Sequence, residues 1–256
     1  MLKMDYANLT WPEIKQAREE DYILLLPVGS IEEHGPHLPV GTDDFFAQRW
    51  ANESAKMARE DFGVKTIVLP SIHYGDSLTL SSFPGTLSIR PETLINVVFD
   101  VADAVLAQGF KKIVIVNVHG GNRPAVYCAA RKIKNKYYKK GQKVIVRVAD
   151  DTDKDLLPNC FWEEAAKNDP EAAQGSMIHG GSLETAKMLD THPELVRKEK
   201  YPLKLEKYQR EDVYFMEEVS ATGTGGDPSK ATVKAGSLLW SYLISNLAKY
   251  LKELSE

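Results

Sequence analysis

Four short apolar runs punctuate the chain: "YILLLPV" (22–28), "VKTIVLP" (64–70), "KIVIVNV" (112–118) and "KVIVRV" (143–148). The first and third are nearly continuous in Val, Ile and Leu, as strands buried on both faces are. Between the runs the period changes. Residues 44–60, 91–108 and 123–138 carry apolar positions at helical spacing. The second of these has Pro91 in its first turn and Gly109 just past its end, the asymmetry that helix termini favour. Strand–helix alternation of this kind predicts an α/β fold, with a mostly parallel sheet and helices on both faces.

The last third reads differently. Residues 150–178 are polar and irregular, and such a long irregular segment suits a flap over a site. Residues 180–190 predict a short helix, 200–227 a long loop, and 229–254 an amphipathic C-terminal helix that tolerates Gly236. No repeat, low-complexity tract or linker divides the chain, so one domain over 1–256 is expected.

Composition narrows the function. The 256 residues are 43% hydrophobic and 27% charged, ordinary for a protein with a large core. A net charge of −4 gives no electrostatic footprint for nucleic acid. There is no signal-peptide pattern at the start and no apolar run long enough to span a membrane, so the expected location is the cytoplasm. Cys128 and Cys160 are too few for a disulfide framework; Cys128 reads as a small buried residue and Cys160 as a loop thiol.

The chemistry collects where the apolar runs end. In open α/β sheets, ligands bind outside the carboxyl ends of the strands. After the first run come Glu32, Glu33, His34, His37, Asp43 and Asp44; after the second, His73 and Asp76; after the third, His119; after the fourth, Asp150, Asp151 and Asp153. Glu32 and His34 alternate in an extended segment, so their side chains point the same way. A bend at Pro36, Pro39 and Gly41 returns Asp43 to them, and a carboxylate with two oxygens can bridge two metals about 3.5–4 Å apart. Mixed imidazole and carboxylate donors suit zinc, manganese or iron better than magnesium or calcium. "HGGSLETA" (179–186) adds His179 and Glu184. Glu184 in the first turn of a helix suits either a metal ligand or a capping partner. His192 reads as a surface residue, and Asp227 as a helix cap before Pro228.

Taken together, "PVGSIEEHGPHLPVGTD", "FPGT", "NVHGGN", "HGGSLETA" and "GDPSKAT" resemble the creatininase (creatinine amidohydrolase) family over about residues 20–240. The resemblance implies a three-layer α/β/α sandwich, two divalent metal ions per chain, and a homo-oligomer, often a hexamer. It implies Glu32 and His119 on one metal, His34 and Glu184 on the other, Asp43 between them, and His179 beside the scissile bond. Creatininase itself differs at three places. Its Tyr, its metal-binding Glu and its Trp before the second His motif are here Gly120, Gly121 and Gly175; separately, a His that many relatives carry three positions before "FPGT" is Leu80. The substrate-closing aromatics are absent there, although Phe161 and Trp162 fall in the expected flap. The expected activity is therefore hydrolysis of a small cyclic or formyl-type amide other than creatinine. A lactone or keto-sugar hydrolase, or a metal-binding protein without turnover, are the competing classes.

Overall fold

In a computed structural model of the protein, residues 2–151, 179–202 and 215–256 are described. Four strands, β1 (Ile23–Val28), β2 (Thr66–Val68), β3 (Lys112–Asn117) and β4 (Ile145–Asp150), form one sheet in the order β2-β1-β3-β4. Every pairing is parallel, and the β1–β3 register runs from Ile23 opposite Lys112 to Val28 opposite Asn117. The helices are α1 (Trp11–Glu19), α2 (Thr42–Phe62), α3 (Pro91–Ala107), α4 (Arg123–Lys139), α5 (Ser182–Thr191), the single turn α6 (Met216–Val219) and α7 (Val233–Ser255).

The unbroken apolar run of β1 has a simple cause: both its faces are covered. Ile23 and Leu25 enter one core with Trp50 of α2, Met188 of α5 and Leu247 of α7. Leu24 and Leu26 enter a second core with Val98 of α3 and Ile133 of α4. The sheet is the middle of three layers, as expected. No described helix is long and apolar enough to cross a membrane.

The element boundaries move by a few residues from the sequence reading. Residues 64–70 shrink to a three-residue edge strand, because β2 pairs only with Ile23–Leu25. The fourth strand starts two residues later than its apolar run, where Ile145 pairs with Lys112. Asp227 does cap, but it caps the 3-10 turn Pro228–Lys230; α7 has its own N-cap, the Thr232 hydroxyl, which accepts from Ala235 N. Cys128 is exposed rather than buried. The inward stripe of α4 is Ala125, Val126, Ala129, Ile133 and Tyr137, and Cys128 lies off it. Of the expected flap at 150–178, residues 152–178, with Asp153, Cys160, Phe161, Trp162 and Gly175, lie outside the described residues, as do 203–214 of the expected loop at 200–227.

The strand order positions the site. From β1 the chain reaches β2 on one side and then β3 on the other, so the connections leaving β1 and β3 diverge. The crevice between diverging connections at the carboxyl ends is where such folds bind ligands. Residues 29–41 and 118–122 leave the sheet there.

Candidate metal centre

Six of the residues singled out in the sequence converge in that crevice. Glu32, Asp43 and His119 offer donor atoms within 4.8 Å of one another, and so do His34, Asp43 and Glu184; a third group joins Glu32, His34 and His179. Asp43 belongs to both of the first two groups. Its Oδ1 lies 3.3 Å from His34 Nε2 and its Oδ2 lies 3.2 Å from His119 Nδ1. Two ligands on one tetrahedral zinc, with bonds of about 2.0–2.1 Å, would stand about 3.3–3.4 Å apart.

Each donor is delivered by a local rule. Asp43 sits in the first turn of α2 and Glu184 in the first turn of α5, where the helix dipole favours a carboxylate. The close seat of α2 needs Gly29, since a Cβ there would run into the Asp44 backbone. Glu184 does not close a capping box on the N-cap Gly181; its Oε2 accepts from Gly180 N, one residue earlier, at 2.7 Å while lying 3.8 Å from His34 Nε2.

The imidazoles are oriented from behind. His34 Nδ1 lies 3.2 Å from the Glu32 carbonyl. A carbonyl only accepts, so Nδ1 carries a hydrogen and Nε2 is the nitrogen left to face Asp43. His119 is turned the other way. Its Nε2 donates to the Asp76 carbonyl at 2.8 Å, which leaves Nδ1 facing Asp43. Metal-binding histidines are held by this kind of outer contact. Ser77 Oγ donates to Glu32 Oε2 and leaves Glu32 Oε1 bare.

Charge and hydrogen bonding both fit a cation here. Glu32, His34, Asp43, His119 and Glu184 are all buried. Among the described residues, no Lys or Arg forms an ion pair with the three carboxylates. Glu32 Oε1, His34 Nε2 and Asp43 Oδ2 have no hydrogen-bond partner there. Buried charges of one sign need a counter-charge, and mixed nitrogen and oxygen donors suit a transition metal. Protons reveal the same demand. Burial opposes the charged form of His119, yet Glu32 and Asp43 outweigh it and push the imidazole up to about 10. His34 is likewise held well above its usual value, with burial overcome by Asp43, Glu184 and Glu32. Burial works against the Asp43 carboxylate too, and His34 and His119 overcome it to hold Asp43 well below the usual range. Burial leaves Glu32 raised.

His179 borders the cluster. Its Nδ1 is 3.5 Å from Glu32 Oε1, and its ring centroid is 4.4 Å from that of His34. Other candidates stay out. His37 is buried against the Thr185 hydroxyl at 2.9 Å, and burial lowers it to about 4, which keeps it neutral. His73 pairs with Asp44 at 2.9 Å and is half exposed. His192, read as a surface residue, is partly exposed and pairs with Glu194. Asp150 is held by Arg123 and Asn117, and Asp151 by Lys187. One neighbour escaped the sequence reading, and another was named there without a role. Ser77 is far from Glu32 in sequence, and no pattern links them. Glu33 had a signal: side chains alternate in an extended segment, so it must face away from Glu32 and His34.

The departures from creatininase have a structural counterpart. A Cβ at Gly121 would collide with the Asp76 carbonyl and with His119 Nε2, so no glutamate fits this backbone. A Cβ at Gly120 meets nothing within 4 Å.

A parallel three-layer α/β/α sandwich with buried imidazoles and carboxylates at its switch point belongs to the class of metal-dependent hydrolases. The chain is a member of the creatininase family: the family model described as creatinine amidohydrolase matches residues 7–251. It is 28% identical over 238 residues to the mycofactocin precursor peptide peptidase of Mycobacterium tuberculosis (strain ATCC 25618 / H37Rv), covering 88% of this chain and 83% of that one. It is 26% identical over 272 residues to the creatinine amidohydrolase of Pseudomonas putida, covering 96% of this chain and 95% of that one. A mutant creatininase structure of "Zn-Zn type" has the same fold, with a TM-score of 0.82 at 24% identity over 100% of this chain and 99% of that one. The protein is thus an amidohydrolase acting on carbon–nitrogen bonds.

Proposed function

We propose that this enzyme is a dinuclear-metal amidohydrolase of a small cyclic or formyl-type amide. The observation that carries the reading is Asp43, whose two oxygens each face one nitrogen of an imidazole anchored from behind through its other nitrogen. Glu32, Asp43 and His119 would hold one divalent ion, and His34, Asp43 and Glu184 the other. Zinc, manganese and iron all suit this donor set. A pair of such ions supplies a water acidified towards pKa ~7 and a Lewis acid for the carbonyl oxygen.

The chain's own groups do the rest. Asp43 would be the donor common to both ions, and Ser77 fixes the Glu32 carboxylate. His179 presents Nδ1 at the edge of the centre, where it takes a proton from the attacking water and returns it to the leaving nitrogen. The carbon–oxygen bond forms, the carbon–nitrogen bond breaks, and the amine leaves with that proton. Open space at Gly120 leaves room for an amide bulkier on that side than creatinine. The enzyme works as a homo-oligomer, a hexamer in the family pattern, which sedimentation would measure.

Elemental analysis of protein purified without added metal or chelator tests the centre. About two ions per chain, lost in Asp43→Ala, is the expected result. Zero or one ion, unchanged by the substitution, would sink it. A panel of hydantoins, N-formyl amides, lactones and 1,3-diketones then tests the bond: turnover confined to the last two would overturn amide hydrolysis.

A further inference from the structure

His179 has a second nitrogen, and its surroundings are more specific than those of the first. Nε2 lies 2.7 Å from the Glu33 carbonyl and 3.1 Å from Glu33 Oε1. Both of those atoms accept, so Nε2 carries the hydrogen and Nδ1 is the bare nitrogen. Nδ1 is the atom that faces the centre.

Glu33 is itself fixed on all sides. Its Oε2 accepts from Gly35 N at 2.7 Å, and its own N donates to Thr86 Oγ1 at 3.1 Å. Gly223 lies against the carboxylate so closely that a Cβ would collide with Oε2, and its φ of +75° is one that glycine adopts without strain. Two residues on, Gly225 N donates to the His179 carbonyl at 2.8 Å. One loop therefore holds both members of the pair. A carboxylate this well buried and immobile, touching the far nitrogen of a histidine at a reaction centre, has the arrangement of an orienting acid.

We propose that Glu33 is a positioning residue: it fixes His179 in the Nε2–H tautomer, so that bare Nδ1 is the atom that shuttles the proton. The proposal rests on the reading of His179 as the proton carrier. It does not make Glu33 a metal ligand, since Glu33 points to the opposite side of the strand-like segment from Glu32 and His34.

The test is Glu33→Gln in the zinc-loaded enzyme. Gly35 N–H needs the side-chain oxygen, and a carboxamide has only one, so His179 Nε2–H keeps the main-chain carbonyl of residue 33 but loses its side-chain acceptor. With that oxygen on Gly35, the amide NH2 faces Nε2 and favours the other tautomer. Imidazole 15N spectra, assigned with His179→Asn, are expected to show the Nε2–H form in the wild type and its loss in Glu33→Gln. On a panel amide that the wild type hydrolyses, kcat should fall about 100-fold, the low end of what a general acid–base contributes. KM should stay within about threefold and zinc content should not change; Glu33→Asp should restore part of both signals.

An unchanged tautomer in Glu33→Gln overturns the proposal. So does loss of zinc or of the fold in both Glu33 variants, which would make the carboxylate a clamp for the loop alone. His179→Ala addresses the underlying reading separately: full turnover there removes His179 as proton carrier, while the spectra still report whether Glu33 sets its tautomer.

Discussion

Asp43 and Asp150 stand at the same edge of the sheet, are both buried, and have opposite surroundings. Asp150 ends β4 and meets the Arg123 guanidinium at 2.7 Å, with Asn117 Nδ2 on its other oxygen at 2.9 Å. Asp43 meets only imidazoles among the described residues, and one of its oxygens has no hydrogen bond there. An acid beside a permanent cation is complete and serves the fold. An acid beside groups that can give up their protons is arranged for a cation that comes and goes. Burial does not separate the two cases; the identity of the counter-charge does.

The largest test of that difference is Asp43→Ala. It should remove both ions and abolish turnover, because the shared carboxylate belongs to both donor groups. Elemental analysis beside an amide assay reads both effects. Retention of two ions would erase the distinction.

Chelation comes next. In the stripped protein the imidazoles are expected to hold protons in place of metal. His119 is raised from its ordinary value to about 10. A group raised in the folded state contributes stability that is full below its unfolded pKa of about 6.5 and fades as pH climbs through the folded value. The melting temperature of the chelated protein should therefore fall steadily from about pH 6.5 to about pH 10. The loaded protein should stay nearly flat across that window, since metal replaces the protons. Parallel curves for the two forms would show that the imidazoles do not answer to the ions.

The Asp150 side should behave in the opposite way. Asp150→Asn should leave two ions in place and weaken folding by about 1–3 kcal/mol. That is below the usual figure of about 3–5 for a broken buried pair, because Arg123 remains half in water. Denaturant unfolding measures it. Loss of metal in this variant would mean that the two acids act as one unit.

The sequence carried much of this contrast. Continuous apolar runs announce strands covered on both faces, and residue types clustered after those runs announce the crevice. Glu32, His34, Asp43, His119 and Glu184 meet for that reason. What the sequence could not carry is the counter-charge. Asp43 and Asp150 each come after an apolar run as an Asp–Asp pair, and only the fold shows that Arg123 reaches one while, among the described residues, no Lys or Arg pairs with the other. The same limit hid Ser77. Glu33 was within reach, because the alternation that pairs Glu32 with His34 also turns Glu33 away. Cys128 was misread because a free cysteine is usually buried, whereas this one sits off the inward stripe of its helix.

The smallest effects should come from two adjacent glycines, and they sharpen the comparison at the imidazole that stands where Asp150 has its arginine. Gly121 packs on His119, so Gly121→Ala must push the Asp76 carbonyl or the imidazole aside. Overpacking of that kind costs about 1–3 kcal/mol, and here it should also weaken metal binding by turning His119 Nδ1 away from Asp43. Gly120 has open space, and its φ is not positive, so alanine fits its backbone. Gly120→Ala should stabilise by about 0.4–1 kcal/mol, chiefly by restricting the unfolded chain, and leave metal content alone. Thermal melts of the two variants with and without bound metal separate the cases. A metal-dependent loss at Gly121 and a metal-independent gain at Gly120 would tie the orientation of His119 to the ion rather than to the fold. Equal responses would mean that His119 is held by packing in the way Arg123 is held by charge, and the contrast between the two acids would narrow to the carboxylates themselves.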